Sequence, residues 1–213
     1  YKKNKKSKFS PDRNLNCRTK KGGEVIGYGG YGCIFKPALR CENSDTRVNG
    51  VSKLLLNRDA NNEWKELNIV KNIIKQIPNN EKYFLLNNLQ KCKPNTLTDT
   101  DKKNIKKCSY PLINFNVNTI NNNLHQLQII NMPYGGYDLA HIIHNNMVSL
   151  YILNYFLIKL LKNAILPMNK LGLYHFDLKS ANMLYDKQLR IIDWGLSGVS
   201  SLRELATILL ACE

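Results

Sequence analysis

Tyr174-His175-Phe176-Asp177-Leu178-Lys179-Ser180-Ala181-Asn182-Met183-Leu184 is followed, eleven residues after Asn182, by Asp193-Trp194-Gly195. The stretch between them reads as a tight hairpin: Met183 to Tyr185, a turn at Asp186-Lys187, then Leu189 to Ile192. Two carboxylates and an amide are thereby gathered around one short turn. They provide one group to orient a hydroxyl and two oxygen donors for a hard cation. An isolated Asp-Leu-Lys is only a turn; the whole ordered set constrains the fold, because the rest of a site has to be brought to this hairpin.

Two features upstream are suited to that task. Gly27-Tyr28-Gly29-Gly30-Tyr31-Gly32 contains G-x-G-x-x-G at Gly27, Gly29 and Gly32. Without side chains there, the backbone can close over phosphates and offer its N–H groups. The same string marks dinucleotide-binding folds, but there the glycines open a helix. Here Cys33-Ile34-Phe35 continues as strand, so a strand–turn–strand flap is expected, with a plain glycine hairpin as the simpler alternative. Lys53 stands in the apolar strand Val51 to Leu56, where an ammonium is costly to bury unless paired. It is either a phosphate ligand held by a carboxylate or an outward-pointing lysine. Glu66 is the preferred partner because Leu67 and Val70 place it near the apolar stripe of the following helix; Glu63 is the second choice.

The remaining pattern is strands with one helix, then mainly helices, then the hairpin. A helix is expected over 59–77, where Trp64, Leu67, Val70, Ile73, Ile74 and Ile77 recur at three and four and Pro78 ends the run. A small helix starts near Thr98, capped by Thr98 or Asp99. Residues 114–123 read as loop or weak strand, 124–132 as a strand, 133–136 as a turn and 137–145 as a short helix. A long, mostly apolar helix covers 149–171, kinked at Pro167, and reads as buried. Residues 172–181 form a loop, and 200–212 read as one more helix. This is an α+β fold in two lobes: a basic tail (1–22), a sheet lobe (23–134, with an insertion at about 79–123) and a helical lobe (135–213).

These residues resemble the eukaryotic-type protein kinase superfamily, with its glycine loop, strand lysine, helix glutamate, H-R-D-L-x-x-x-N and D-F-G. Here they read Gly27/Gly29/Gly32, Lys53, Glu66, HFDLKSAN and DWG, over about residues 24–200. The D-W-G variant and IGYGGYGCIFKPALRC look like kinases of large DNA viruses. The resemblance implies a two-lobed kinase fold and ATP- and magnesium-dependent phosphoryl transfer to Ser/Thr hydroxyls of a protein substrate. Gly27, Gly29, Gly30 and Gly32 would cover the phosphates of ATP, with Ile34 beside them. Lys53 would bind the α- and β-phosphates and pair with Glu66. PYGGYDL looks like the end of the hinge, so Ile130 would be the gatekeeper, and Asn131, Met132 and Pro133 would face the adenine. Asp177 would orient the substrate hydroxyl, Lys179 would steady the γ-phosphate, and Asn182 and Asp193 would hold Mg2+.

The chain departs from that pattern at four points. Phe176 replaces the usual arginine, Trp194 replaces phenylalanine, and Pro133 lacks a hinge N–H. No A-P-E-like anchor follows Gly195. Two alternatives stay open: a kinase-shaped scaffold that binds nucleotide weakly or not at all, and a small-molecule kinase of related fold.

The net charge of +15 fits an anionic partner, including nucleic acid through the basic tail, or a coding bias toward Lys, Asn and Ile. The cysteines at 17, 33, 41, 92, 108 and 212 form no C-x-x-C pair, which argues against zinc. Reduced thiols and a cytoplasmic location (host cytoplasm or virion if viral) are expected. No run reaches the roughly 18 apolar residues needed to span a bilayer. The first residue, Tyr1, and the last, Glu213, read as the ends of a fragment.

Overall fold

A computed structural model describes residues 23–29, 32–44, 46–108, 112 and 114–200. The basic tail, Gly30 and the helix expected over 200–212 from residue 201 onward therefore lie outside the described residues. The fold is mixed α+β, built on a five-stranded antiparallel sheet. β1 (Glu24–Tyr28) turns at the glycines into β2 (Gly32–Lys36), and β3 (Val51–Leu56) lies next to β2. β5 (Leu127–Met132) pairs with β3, and β4 (Gln90–Cys92) forms the edge, giving the order β1-β2-β3-β5-β4.

Strand alternation sorts the sheet's side chains onto two faces. The register Gly27↔Ile34, Ile34↔Lys53, Lys53↔Ile130 and Lys91↔Ile130 runs as one row across the inner face. Val25, Cys33, Phe35, Leu54, Leu127 and Ile129 occupy the outer face. There they form one core with Leu97, Ile105, Cys108, Leu112 and Ile120 from the long connection before β5. Residues 97–120 therefore cap the sheet. α2 (Asp99–Lys102) lies in this cap and starts as the sequence predicts, with a capping box between Thr98 and Asp101. Residues 114–119 are turn and loop, as expected, but residues 120–126 form a 3-10 helix, which corrects the end of the loop expected over 114–123 and the strand expected from 124, so that β5 begins only at Leu127.

The inner face packs against α1 (Asn57–Ile74), which follows β3 without a break. Ala60, Leu67, Val70 and Ile74 of α1 join a second core that continues into the helices. Tyr83, Phe84 and Leu86 also belong to this second core, and the Ile191 N–H donates to the Tyr83 carbonyl at 2.8 Å. The segment assigned as one insertion thus serves both cores.

Beyond β5, β6 (Tyr137–Asp138) precedes α3 (Leu139–His144), where Asp138 accepts from the His141 N–H at 2.9 Å. The long apolar helix is α4 (Leu150–Leu160), a π-helical turn (Leu161–Ile165) and α5 (Leu166–Lys170). The irregular turn directly precedes Pro167, which has no N–H to continue an α-helical ladder. The expectation that this run is buried is overturned: Leu150 is 79% and Tyr151 84% exposed. By length and composition the 21 residues Leu150–Lys170 are sufficient to cross a membrane.

β7 (Leu173–His175) is a strand where a loop was expected, paired with β10 (Ser197–Val199). The hairpin is as expected: β8 (Met183–Tyr185) and β9 (Leu189–Ile191), with Lys187 left-handed at φ 57° in the turn.

Candidate active site

The roof of the site is the turn between β1 and β2. A Cβ added at Gly27 or Gly29 would meet nothing within 4 Å, so both face open space. Gly32 differs: a Cβ there would stand 2.7 Å from the Leu54 carbonyl oxygen, so glycine is needed for β2 to approach β3. The turn is closed by the Gly29 N–H donating to the Gly32 carbonyl at 2.9 Å. Ile34 points to the inner face, in register with Lys53.

Lys53 Nζ donates to Glu63 Oε2 at 2.6 Å, with both side chains largely buried. The preference for Glu66 is therefore corrected. The signal was present in the sequence: Glu63 lies on the stripe 60, 63, 67, 70, 74, where it is the one polar residue among buried ones. Glu66 lies one turn on and still senses the site. Burial pushes its carboxyl up, and the charges of Glu63 and Asp193 add to this while Lys53 opposes it. One carboxylate thus registers both Lys53 on the sheet and Asp193 beyond the hairpin.

The floor is the loop between β7 and β8. Asn182 Nδ2 donates to the Asp177 carbonyl and to Asp177 Oδ2, both at 2.9 Å. Lys179 Nζ donates to the same Oδ2 at 2.6 Å, and this bond holds the Asp177 carboxyl below the usual aspartate range. The Ile192 N–H donates to the Asn182 carbonyl at 3.0 Å, which brings Asp193 beside Asn182. Asp193 is left-handed at φ 64°, a conformation a non-glycine residue keeps only where its surroundings fix it. Two contacts do so: His175 Nε2 lies 2.9 Å from the Ile192 carbonyl, and the Trp194 ring packs between Phe84 and His175 at 5.8 and 4.9 Å.

Asp177, Lys179 and Asn182 thus form one hydrogen-bonded cluster with Asp193 beside it, and Lys53 with Glu63 forms an ion pair on the sheet side. On the hinge side, Ile130 is buried on the inner face and Met132 packs against the inner core. The Asn131 side chain points away from the inner face, so only its backbone could meet an adenine there. It is fully buried on the outer face, where its Oδ1 accepts from Ser52 Oγ and its Nδ2 lies 3.6 Å from Cys41 Sγ. The reason is period-2 alternation: if Ile130 faces Lys53, Asn131 cannot.

The cysteines were also read incorrectly. Cys33 is bonded to Cys108 and Cys41 to Cys92, so the expectation of reduced thiols fails for these four. The partners are 75 and 51 residues apart, and short-range spacing could not reveal the pairs.

Asn182 and Asp193 suit a small hard cation. The Asn182 NH2 group is taken up by Asp177, which leaves its carbonyl oxygen as the group available to a ligand. Among the described residues no cluster of three or more His, Cys, Asp or Glu could hold a metal alone. Mg2+ commonly takes one or two protein oxygens together with substrate phosphates. No family model matches the chain, and no curated protein is recognisably similar to it.

Proposed function

We propose that this chain carries the nucleotide site and catalytic loop of a protein-kinase-like enzyme that transfers the γ-phosphoryl group of ATP to Ser/Thr hydroxyls of a protein. The observations that support this reading are the Lys53–Glu63 ion pair on the inner sheet face and the hydrogen-bonded cluster of Asp177, Lys179 and Asn182 with Asp193 beside it, while Glu66 responds to charge on both Lys53 and Asp193.

In this reading Lys53, steadied by Glu63, binds phosphate oxygens from the sheet side. Mg2+ held by Asn182 and Asp193 would neutralise the phosphate charge. Asp177 accepts the hydrogen bond of the incoming hydroxyl. Its depressed pKa suits it to orienting that hydroxyl more than to abstracting a proton early. The hydroxyl oxygen bonds to the γ-phosphorus, the bond to the β-bridging oxygen breaks, ADP leaves, and the hydroxyl proton passes by Asp177 to solvent. Lys179, already beside Asp177, lies where charge develops on the transferred group.

The test is transfer of labelled phosphate from ATP to a mixed Ser/Thr protein substrate, with Asp177→Asn and Lys53→Met as controls. Transfer that disappears in both variants supports the reading. Wild-type transfer no greater than in Asp177→Asn defeats it. Mg-ATP binding separates an enzyme from a kinase-shaped scaffold: at a ligand concentration a hundred times Kd, stabilisation of about 2.7 kcal/mol is expected.

A further inference from the structure

Gly198, the middle residue of β10, has no backbone reason to be glycine, because it is not among the positive-φ residues. Its reason is space. A Cβ there would stand 2.7 Å from Cε2 and 3.4 Å from Cζ of Phe176. The Phe176 ring lies on the backbone of β10, with Tyr174 stacked near-parallel at 6.2 Å. Although it rests on the strand, the ring is 63% exposed, so the core does not demand it.

The ribbon beneath the ring is short. β7 and β10 share three residue pairs, Ser197↔His175, Gly198↔Tyr174 and Val199↔Leu173. The Phe176 N–H donates to the Leu196 carbonyl at 3.0 Å, and the Ser200 N–H to the Gly172 carbonyl at 2.9 Å. Such a two-stranded ribbon is marginal in water by itself. An aromatic ring over its centre excludes water from those bonds. The ribbon continues directly into the site: the Ser197 N–H donates to the Trp194 carbonyl at 2.9 Å, one residue beyond left-handed Asp193.

We infer that Phe176 is a positioning residue: its ring clamps Gly198, fixes β10 on β7, and thereby adds to the hold that His175 and Trp194 have on Asp193 in its left-handed conformation. The role assigned to Asp193 rests on the proposed phosphotransfer reading; the clamp itself does not. Regulation follows from the same geometry. Any partner or modification that lifts the ring from Gly198 would release the metal-holding residue.

The experiment compares Gly198→Ala, Phe176→Ala, the double variant and Phe176→Tyr in the full chain. Amide exchange over residues 172–200 is measured without ligand, and phosphoryl transfer is measured against Mg2+ concentration. The Cβ of Gly198→Ala would lift the exposed Phe176 ring off the strand and should speed exchange of the β10 amides about tenfold. It should also raise half-saturating Mg2+ several-fold, with KM for ATP unchanged once Mg2+ saturates. Phe176→Ala should speed the same amides, Phe176→Tyr should match wild type, and the double variant should be less impaired than the sum of the single changes. Strictly additive effects, or wild-type exchange in Phe176→Ala, overturn the clamp. If Gly198→Ala does not fold, Phe176→Ala and the double variant still decide. If the wild-type chain transfers no phosphate, the phosphotransfer reading falls while exchange continues to test the clamp.

Discussion

The outer face of the sheet and the α4–α5 run are both rich in apolar side chains, yet they end differently. Over the sheet, Phe35, Leu54, Leu127 and Ile129 are completely covered by the 97–120 cap. One disulfide, Cys33–Cys108, ties that cap to β2, a second, Cys41–Cys92, ties the loop after β2 to β4 beside it, and Arg47 binds both carboxylate oxygens of Asp101 at 3.0 and 2.9 Å. Along α4, the longer apolar stretch, Leu150, Tyr151, Tyr155 and Ile158 remain exposed. Apolar content alone therefore does not predict burial. What decides is whether another segment is tied down on top. In this chain one of those ties, Cys33–Cys108, starts on the outer face of β2 directly after Gly32 and opposite Leu54, the neighbour of Lys53.

This contrast can be broken most strongly at the cap. Reducing the disulfides with a dithiol, or replacing Cys33 and Cys41 by Ala, should lower stability by about 2–5 kcal/mol per bridge. Urea unfolding with and without reductant measures it, and an unchanged midpoint would show that the sulfurs do no cross-linking. Asp101→Ala comes next. It leaves the largely buried Arg47 unpaired and removes the acceptor for the Gly23 and Thr98 N–H groups, so a loss of about 3–5 kcal/mol is expected by the same measurement.

Acid titration sharpens the difference further. Burial alone would raise the Asp101 carboxyl, but hydrogen bonds from Arg47, Gly23 and Thr98 outweigh it and bring the folded value below the ordinary 3.8. The unfolded chain therefore takes up the proton first as pH falls. The contribution of Asp101 is complete above 3.8 and is lost below it, on the way down to the depressed value. Glu66 has the opposite sign. Its raised carboxyl costs stability as pH climbs past its ordinary 4.5, so Glu66→Gln should flatten or reverse that part of the profile. A wild-type curve without the low-pH loss would remove Asp101 from the argument. The smallest effect is expected on the open side: Leu150→Gln, Tyr151→Gln and Tyr155→Gln should each change stability by no more than about 0.5 kcal/mol. A larger loss in dilute monomer would mean that this face is covered after all.

Much of the sheet and the hairpin was legible because period-2 alternation and turn residues are local signals. Lys53, Asp177, Asn182 and Asp193 were each singled out from local context; folding pairs Lys53 with Glu63 and joins Asp177 to Asn182. Three features were not legible. β7 is three residues long and exists only because β10 pairs with it. The cap and its disulfides depend on contacts more than fifty residues apart. Glu63 was passed over in favour of Glu66 because apolar neighbours in sequence were weighed above helical phase, although the stripe through Ala60 and Leu67 runs through Glu63.

The position of Cys33 directly after Gly32 has a mechanical corollary. The returning arm of the glycine turn is welded to the cap through Cys108, whereas the outgoing arm carries an irregularity in its pairing between Val25 and Gly27 and an exposed Ile26. The outgoing arm is held to the same cap without a covalent bond, by the packing of Val25, the Gly23 N–H on Asp101 and the Glu24–Lys103 ion pair at 3.3 Å. The turn is therefore anchored unevenly, by a bond that only reduction breaks on one arm and by contacts that acid or salt can loosen on the other.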